Sequence, residues 1–156
     1  MAATATPALR GHRPALALVT TGVLGFLGIT AVGGGAALIF GPGTAPGDSL
    51  QRIPLIDSWV VPGLVLGIGF GLGSLLVAYG VFRKPHWAWL GPVERRTGHH
   101  WSWIATILIG FGQLVWLALE LVYLPDLSWL EALYTVVSVA LLLLPVSVPV
   151  SRYLSR

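Results

Sequence analysis

Cysteine is absent from this chain of 156 residues. That excludes disulfides, thiolate metal sites and thiol redox chemistry. Charge is the second scarcity. Asp, Glu, Lys and Arg together make up 10% of the sequence, against roughly 25% in soluble domains. The few acids show no paired-carboxylate spacing, and no Ser/His/Asp set is present, so nothing in the pattern points to catalysis. The glycine-rich stretch GIGFGLG, Gly67 to Gly73, comes nearest to a phosphate loop. It fails G-x-G-x-x-G because Leu72 holds the last glycine position, and no strand precedes it. The net charge of +3 is small and gives no sign of nucleic-acid binding.

What the chain has in excess is apolar residues, 55% of the total, with a mean hydropathy of +0.82. Such a composition predicts an all-α polytopic membrane protein in one domain. Four stretches are long enough to cross a ~30 Å hydrocarbon core at ~1.5 Å per residue. They lie at about residues 15–40, 59–82, 101–124 and 129–148 of a four-helix domain over 15–150, between a tail at 1–14 and a tail at 151–156. The first stretch, 26 residues from Ala15 to Phe40, is too long for the roughly 7–15-residue core of a signal peptide, so an uncleaved span is expected. In the second, Pro62 falls in the first turn, where its missing N–H costs nothing. The third opens on Trp101 and Trp103 and closes on Tyr123, the aromatic belts of a membrane span. Ser128 and Glu131 form a capping-box pattern ahead of the fourth. Residues 41–57 and 85–99 read as loops, the second basic and aromatic.

Orientation follows from the cations. Arg10, Arg13, Arg83, Lys84, Arg95, Arg96, Arg152 and Arg156 all fall on one side of the expected layout, and Arg52 is alone on the other. The positive-inside rule then puts both termini in the cytoplasm.

The candidate sites are few. Gly63, Gly67 and Gly71 are spaced by four, with Gly69 and Gly73 on an offset face. Small residues at this spacing let helix backbones approach closely, so packing within the bundle is expected, with homodimerisation as the sharper alternative. Thr106, Gln113 and Glu120 are seven residues apart and share a helix face, since two heptads drift only ~40°. An acid inside an apolar run is a functional candidate by default. The competing role for Glu120 is structural, as the partner of Arg52 in an ion pair near the outer surface. His12, His86, His99 and His100 all fall on the basic side, but adjacent His99 and His100 do not converge readily on one ion and no acid pattern completes a site. No metal and no cofactor is expected. The expected partners are the bilayer and a second copy or another membrane protein. That makes a non-enzymatic partner-binding or assembly-supporting role the first reading, and a small oligomeric proton-coupled transporter using Glu120 the second.

Several motifs resemble those of a family of small bacterial integral membrane proteins with four spans and no assigned activity. They are RIPLIDSWVVPG from Arg52 to Gly63, GLGSLLVAYGVFRK from Gly71 to Lys84, the W-x-x-x-E of Trp116 and Glu120, and Trp129-Leu130 before an apolar run. The resemblance covers about two-thirds of the chain, from Asp48 onward. It implies a four-span layout in a bacterial cytoplasmic membrane, and no substrate or catalytic residue.

The absence of native cysteine makes the orientation easy to test. Thr44→Cys should react with an impermeant thiol reagent on intact cells, and Thr97→Cys should react only after lysis. Labelling of Thr97→Cys alone on intact cells would reverse the orientation.

Overall fold

The computed structural model describes residues 14–41, 58–123 and 129–155. Four long apolar helices dominate it: α1 (Ala15–Phe40), α2 (Val60–Arg83), α4 (Trp101–Tyr123) and α5 (Trp129–Val146). Two short helices, α3 (Gly91–Thr97) and α6 (Val148–Leu154), lie between and after them. The fold class is therefore an all-α bundle with four helices long and apolar enough to cross a membrane. Even the shortest, at 18 residues, is about 27 Å long.

The backbone is self-sufficient in these helices, as hydrocarbon demands. Polar side chains follow the same logic. The hydroxyls of Thr20, Thr30, Thr106, Thr135 and Ser138 each donate to the carbonyl four residues back, at 2.6–2.8 Å. Each is satisfied inside its own helix and needs no partner elsewhere.

The helices run up and down in sequence order. α1 packs along the whole of α2, α2 against α4, α4 against α5, and α5 back against α1, which closes a square. Apolar side chains gain nothing by turning inward from lipid, so close approach of the backbones decides the packing. Glycine supplies it on both sides of the α1/α2 contact. A Cβ on Gly35 would lie 2.5 Å from the Gly63 carbonyl oxygen and 2.6 Å from the Gly67 nitrogen. One on Gly71 would lie 2.6 Å from a Val32 methyl, and one on Gly63 at 2.6 Å from Ile39. Gly67 itself has room for a methyl group, whose nearest neighbour would be the Gly35 Cα at 3.7 Å. Gly69 faces open space and Gly73 meets only the Ile68 carbonyl oxygen at 3.9 Å. The middle of α2, Val65–Leu72, is wound as a π-helix, with i→i+5 bonds in place of i→i+4.

The basic end of the bundle is an ordered cap, where the sequence reads as a loop and a tail. After Arg83, Lys84 turns the chain in the left-handed conformation (φ 51°). A short 3₁₀ turn at Ala88–Leu90 leads into α3, which starts on Gly91-Pro92 and ends at Gly98 with φ 67°. Pro in the first turn and a left-handed glycine after the last are a helix's usual start and stop signals. Pro145 lies inside α5, and Pro149 in the first turn of α6. The chain breaks at Ser147 and resumes as α6, which buries Val150 and Leu154. The Leu154 carbonyl accepts the His100 N–H at 2.7 Å, and Lys84 Nζ donates to the Tyr153 carbonyl at 2.6 Å. All Lys and Arg among the described residues, Arg83, Lys84, Arg95, Arg96 and Arg152, belong to this end.

The α1/α2 seam predicts an ordering that spacing alone does not. Gly35→Ala drives a methyl group into two backbone segments and should lower thermal stability by about 1–3 kcal/mol. Gly67→Ala and Gly25→Ala, where a methyl group meets at most ordinary contact, should be nearly silent. Melting curves of the three variants in one detergent check this, and equal midpoints would remove the seam from the packing argument.

Candidate functional site

Helix α4 turns one polar face inward. Thr106 and Gln113 are buried on it, with Gly110 and Leu117 between and beyond them. Glu120 follows on the same face, half-buried near the end remote from the basic cap. Thr106 is closed off by its bond to the Ser102 carbonyl, so it presents no free donor. Gln113 and Glu120 instead line a chamber of about 210 Å³. All four long helices contribute to it: Leu27, Thr30, Ala31 and Gly34 from α1, Leu66 from α2, and Leu130, Glu131 and Tyr134 from α5.

Two features of the chamber stand out chemically. The first is a pair of carboxylates on facing helices. Glu120 from α4 and Glu131 from α5 both line it, beside Trp116. The second is an unpaired acceptor. Gln113 is 3% exposed and its Oε1 has no hydrogen-bond partner. Leaving a buried polar atom unmatched costs about 1–3 kcal/mol, so a native structure rarely does so without a reason. Ser74 Oγ and Trp59 Nε1 are also buried without partners, but neither lines the chamber. Aromatic rings stiffen the walls: Trp116 meets Phe70 edge-on with centroids 6.1 Å apart, and Tyr134 stacks on Phe26 at 6.4 Å. A second, more open hollow of about 440 Å³ lies between α4 and α5 and shares Leu117 and Glu131 with the chamber.

Arg52, the expected partner of Glu120, lies outside the described residues, as does Ser128 of the capping box. Among the glycines, Gly63 and Gly71 turn their Cβ side into the α1/α2 contact, and Gly67 meets Gly35 there with its backbone. They pack within the bundle and are not among the residues that line the chamber. Opposite them on α1, Gly35 carries the tightest approach, and Gly28 meets Leu75 and the Gly71 carbonyl. In the sequence these are two among several glycines of one span, and nothing singles them out.

The basic cap holds a polar cluster that the sequence reading missed. Glu94, on α3, is fully buried. Its Oε1 accepts the Trp101 N–H at 3.3 Å, and its carboxylate lies 3.7 Å from His86 Nδ1 and 3.8 Å from His100 Nε2. His100 has both ring nitrogens in use. Nε2–H points to the Pro85 carbonyl at 3.1 Å, which leaves Nδ1 to accept from Ser102 Oγ at 2.8 Å. His99 points away from this group, bonded to the Thr97 carbonyl and to Ser151 Oγ and stacked on Trp103 at 4.6 Å. Among the described residues no three His, Asp or Glu side chains are grouped to hold a metal ion. The cluster ties the α2–α4 connection to the start of α4. Trp101 fits over Gly80, where a Cβ would come within 2.6 Å of the indole, and stacks on Trp87 at 4.9 Å. An acid in the first turn of a helix opened by Gly-Pro was the available signal; reading 85–99 as a loop hid it.

No family model, curated protein or solved structure matches the chain. The four-span layout therefore stands on the structure itself, and the reading of function rests on the chamber.

Two substitutions distinguish the two clusters. Gln113→Leu removes an unmatched acceptor and keeps the volume, so the ligand-free protein should be at least as stable as the wild type. Glu94→Leu strands the Trp101 N–H and should lose about 1–3 kcal/mol. Differential scanning calorimetry in detergent reads both, and a Gln113→Leu protein that melts well below wild type would show that Oε1 is matched in the molecule.

Proposed function

We propose that this chain is a non-enzymatic integral membrane protein that binds a small ligand inside its bundle, at the chamber between Gln113, Glu120 and Glu131. The observation that carries the reading is the polar lining of the chamber, with Gln113, Glu120 and Glu131 gathered between otherwise apolar helices. A core assembled only for packing would place an apolar residue there at lower cost. The chamber is built by all four long helices, so its shape depends on the whole bundle and not on one loop. Ligand sites between the helices of a bundle are a recurrent arrangement. In this reading both termini are cytoplasmic, on the strength of the cation distribution, and the membrane is the cytoplasmic membrane of a bacterium, on the strength of the motif resemblance.

Proton-coupled transport is the second reading, and one observation favours it. Glu120 and Glu131, from facing helices, line the one chamber. Acids within membrane spans are recurrent parts of proton pathways.

A fragment screen on the purified full-length protein tests the binding reading. Compounds that raise the melting temperature of the wild type should fail to do so with Gln113→Leu. A set of stabilising compounds equally effective on both proteins would overturn the proposal. Proteoliposome flux separates the second reading from the first: Glu120→Gln should abolish proton-driven uptake of a bound compound while the folded protein persists, and absence of any uptake by the wild type would leave binding alone.

A further inference from the structure

We propose that the basic cap is a docking surface for anionic phospholipid headgroups of the leaflet it meets. The guanidinium groups of Arg83, Arg95, Arg96 and Arg152 hold lipid phosphates there, and Trp89 sits at the depth of the interface. This surface is at the end of the bundle remote from the chamber, so the proposal goes beyond the ligand reading and does not depend on it.

Folding gathers the four arginines from three stretches of chain. Lys84 Nζ donates to the Tyr153 carbonyl at 2.6 Å and lies 4.6 Å from the centre of that ring, which ties the end of α2 to α6. The Ser151 hydroxyl and His99 Nε2 are hydrogen-bonded at 3.0 Å, and the His100 N–H donates to the Leu154 carbonyl at 2.7 Å. These two bonds tie α6 to the junction of α3 and α4. Arg83 is next in sequence to Lys84, Arg152 stands between Ser151 and Tyr153, and Arg95 and Arg96 occupy the last turn of α3. All four therefore belong to one hydrogen-bonded cap.

Their charge is left facing outward. Each of the four is exposed, and no hydrogen bond or ion pair engages its guanidinium among the described residues. Lys84 differs, because its ammonium is spent on Tyr153. Glu94 is the single acid among the described residues of this end, and it is fully buried. Like charges gathered without an acid on the same surface repel one another. A partner that brings negative charge from outside relieves that repulsion.

Chemistry and position select the partner. Guanidinium is a planar fork that matches phosphate oxygens in pairs. Arg83 is the last residue of one long apolar helix and Trp101 the first of the next, so the segment between them falls where spans end and headgroups begin. Tryptophan marks the same depth. Trp101 is buried, Trp87 stacks on it at 4.9 Å, and Trp89 stacks on Trp87 at 6.0 Å while 74% exposed. The stack runs from the core to the surface, and its outermost indole suits the membrane–water interface. Basic segments just beyond a span attract anionic lipids. A soluble polyanion would account for the arginines but not for the exposed Trp89 in the turn before α3.

Electron spin resonance of the full-length protein, reconstituted in phosphatidylcholine vesicles, tests the surface. A trace of chain-labelled phosphatidylglycerol or phosphatidylcholine reports how strongly each lipid associates with the protein. Phosphatidylglycerol should associate at least about twofold more strongly at low salt, and the preference should fade at about 1 M salt, where the screening length is about 3 Å. The pairs Arg83→Gln with Arg152→Gln and Arg95→Gln with Arg96→Gln should each reduce the preference, and all four changes together should abolish it. Circular dichroism melts check the folding of each variant. The salt series needs only the wild type, so a misfolded variant does not end the experiment. Equal association of the two lipids with the wild type overturns the proposal and leaves the arginines to an acidic protein partner. A preference that persists at high salt, or that survives all four substitutions in a folded protein, also overturns it.

Discussion

The rest of the bundle depends on one contact, the approach of the Gly35 backbone to Gly63 and Gly67. In water, apolar side chains would draw α1 and α2 together whatever their shape. In lipid that drive is missing, and Ile29, Ile68 and Phe111 remain on the outside at little cost. What remains is dispersion between surfaces that fit, and this is large only where no side chain holds the helices apart. Gly28, Gly35, Gly63 and Gly71 remove that obstacle from one line along the two helices. The same device recurs at the other contacts: Gly80 admits Trp101, and Gly110 receives Leu141 and the Ser138 carbonyl. The bundle is assembled by absence of side chains at the crossings and by bulk between them.

The chamber is the complement of that design. Where α1 and α2 are drawn together, the space must open elsewhere in the square, and it opens toward α4 and α5 at the end remote from the basic cap. Gly34 and Leu66 floor it, and the longer side chains of Glu120, Glu131, Tyr134 and Trp116 reach into it. At the opposite end the bundle is plugged. Trp101 lies over Gly80, the Glu94 cluster sits above it, and α6 folds back to lend Val150 and Leu154 to the same core. One end is dense and cationic at its surface, and at the other, acids line a hollow among the described residues.

The sequence discloses the solvent, the spans and the inward face of α4, because each is written in a local pattern: run length, aromatic ends, and a seven-residue repeat of Thr106, Gln113 and Glu120. It does not disclose that Glu131 belongs with Glu120. The two are separated by a turn, and only antiparallel packing of α4 on α5 brings them to one chamber. Gly28 and Gly35 were equally hidden, since glycine in a lipid-embedded helix carries no mark of which neighbour it faces. Glu94 was obscured by composition. A basic, aromatic segment reads as a solvated loop, and folding it into a short helix under Trp101 takes tertiary contacts that no window of the sequence contains. Thr106 shows the converse. Its periodicity puts it on the polar face, yet its hydroxyl is spent on its own helix and contributes nothing to the chamber.

The π-wound stretch of α2 has a consequence for how this chain can change over time. A π-turn is an α-helix carrying an extra residue. Loss of a single residue within Val65–Leu72 could be absorbed by rewinding to the ordinary helix, with Gly63 on one side and Ser74 to Arg83 on the other still facing as they do now. Loss of a residue anywhere else in the long helices has no such slack to draw on, and would turn every position beyond it by about 100°. Length variation among related chains should therefore gather in this one stretch, beside Leu66 and the chamber wall, as long as small residues still meet Gly35 and Val32.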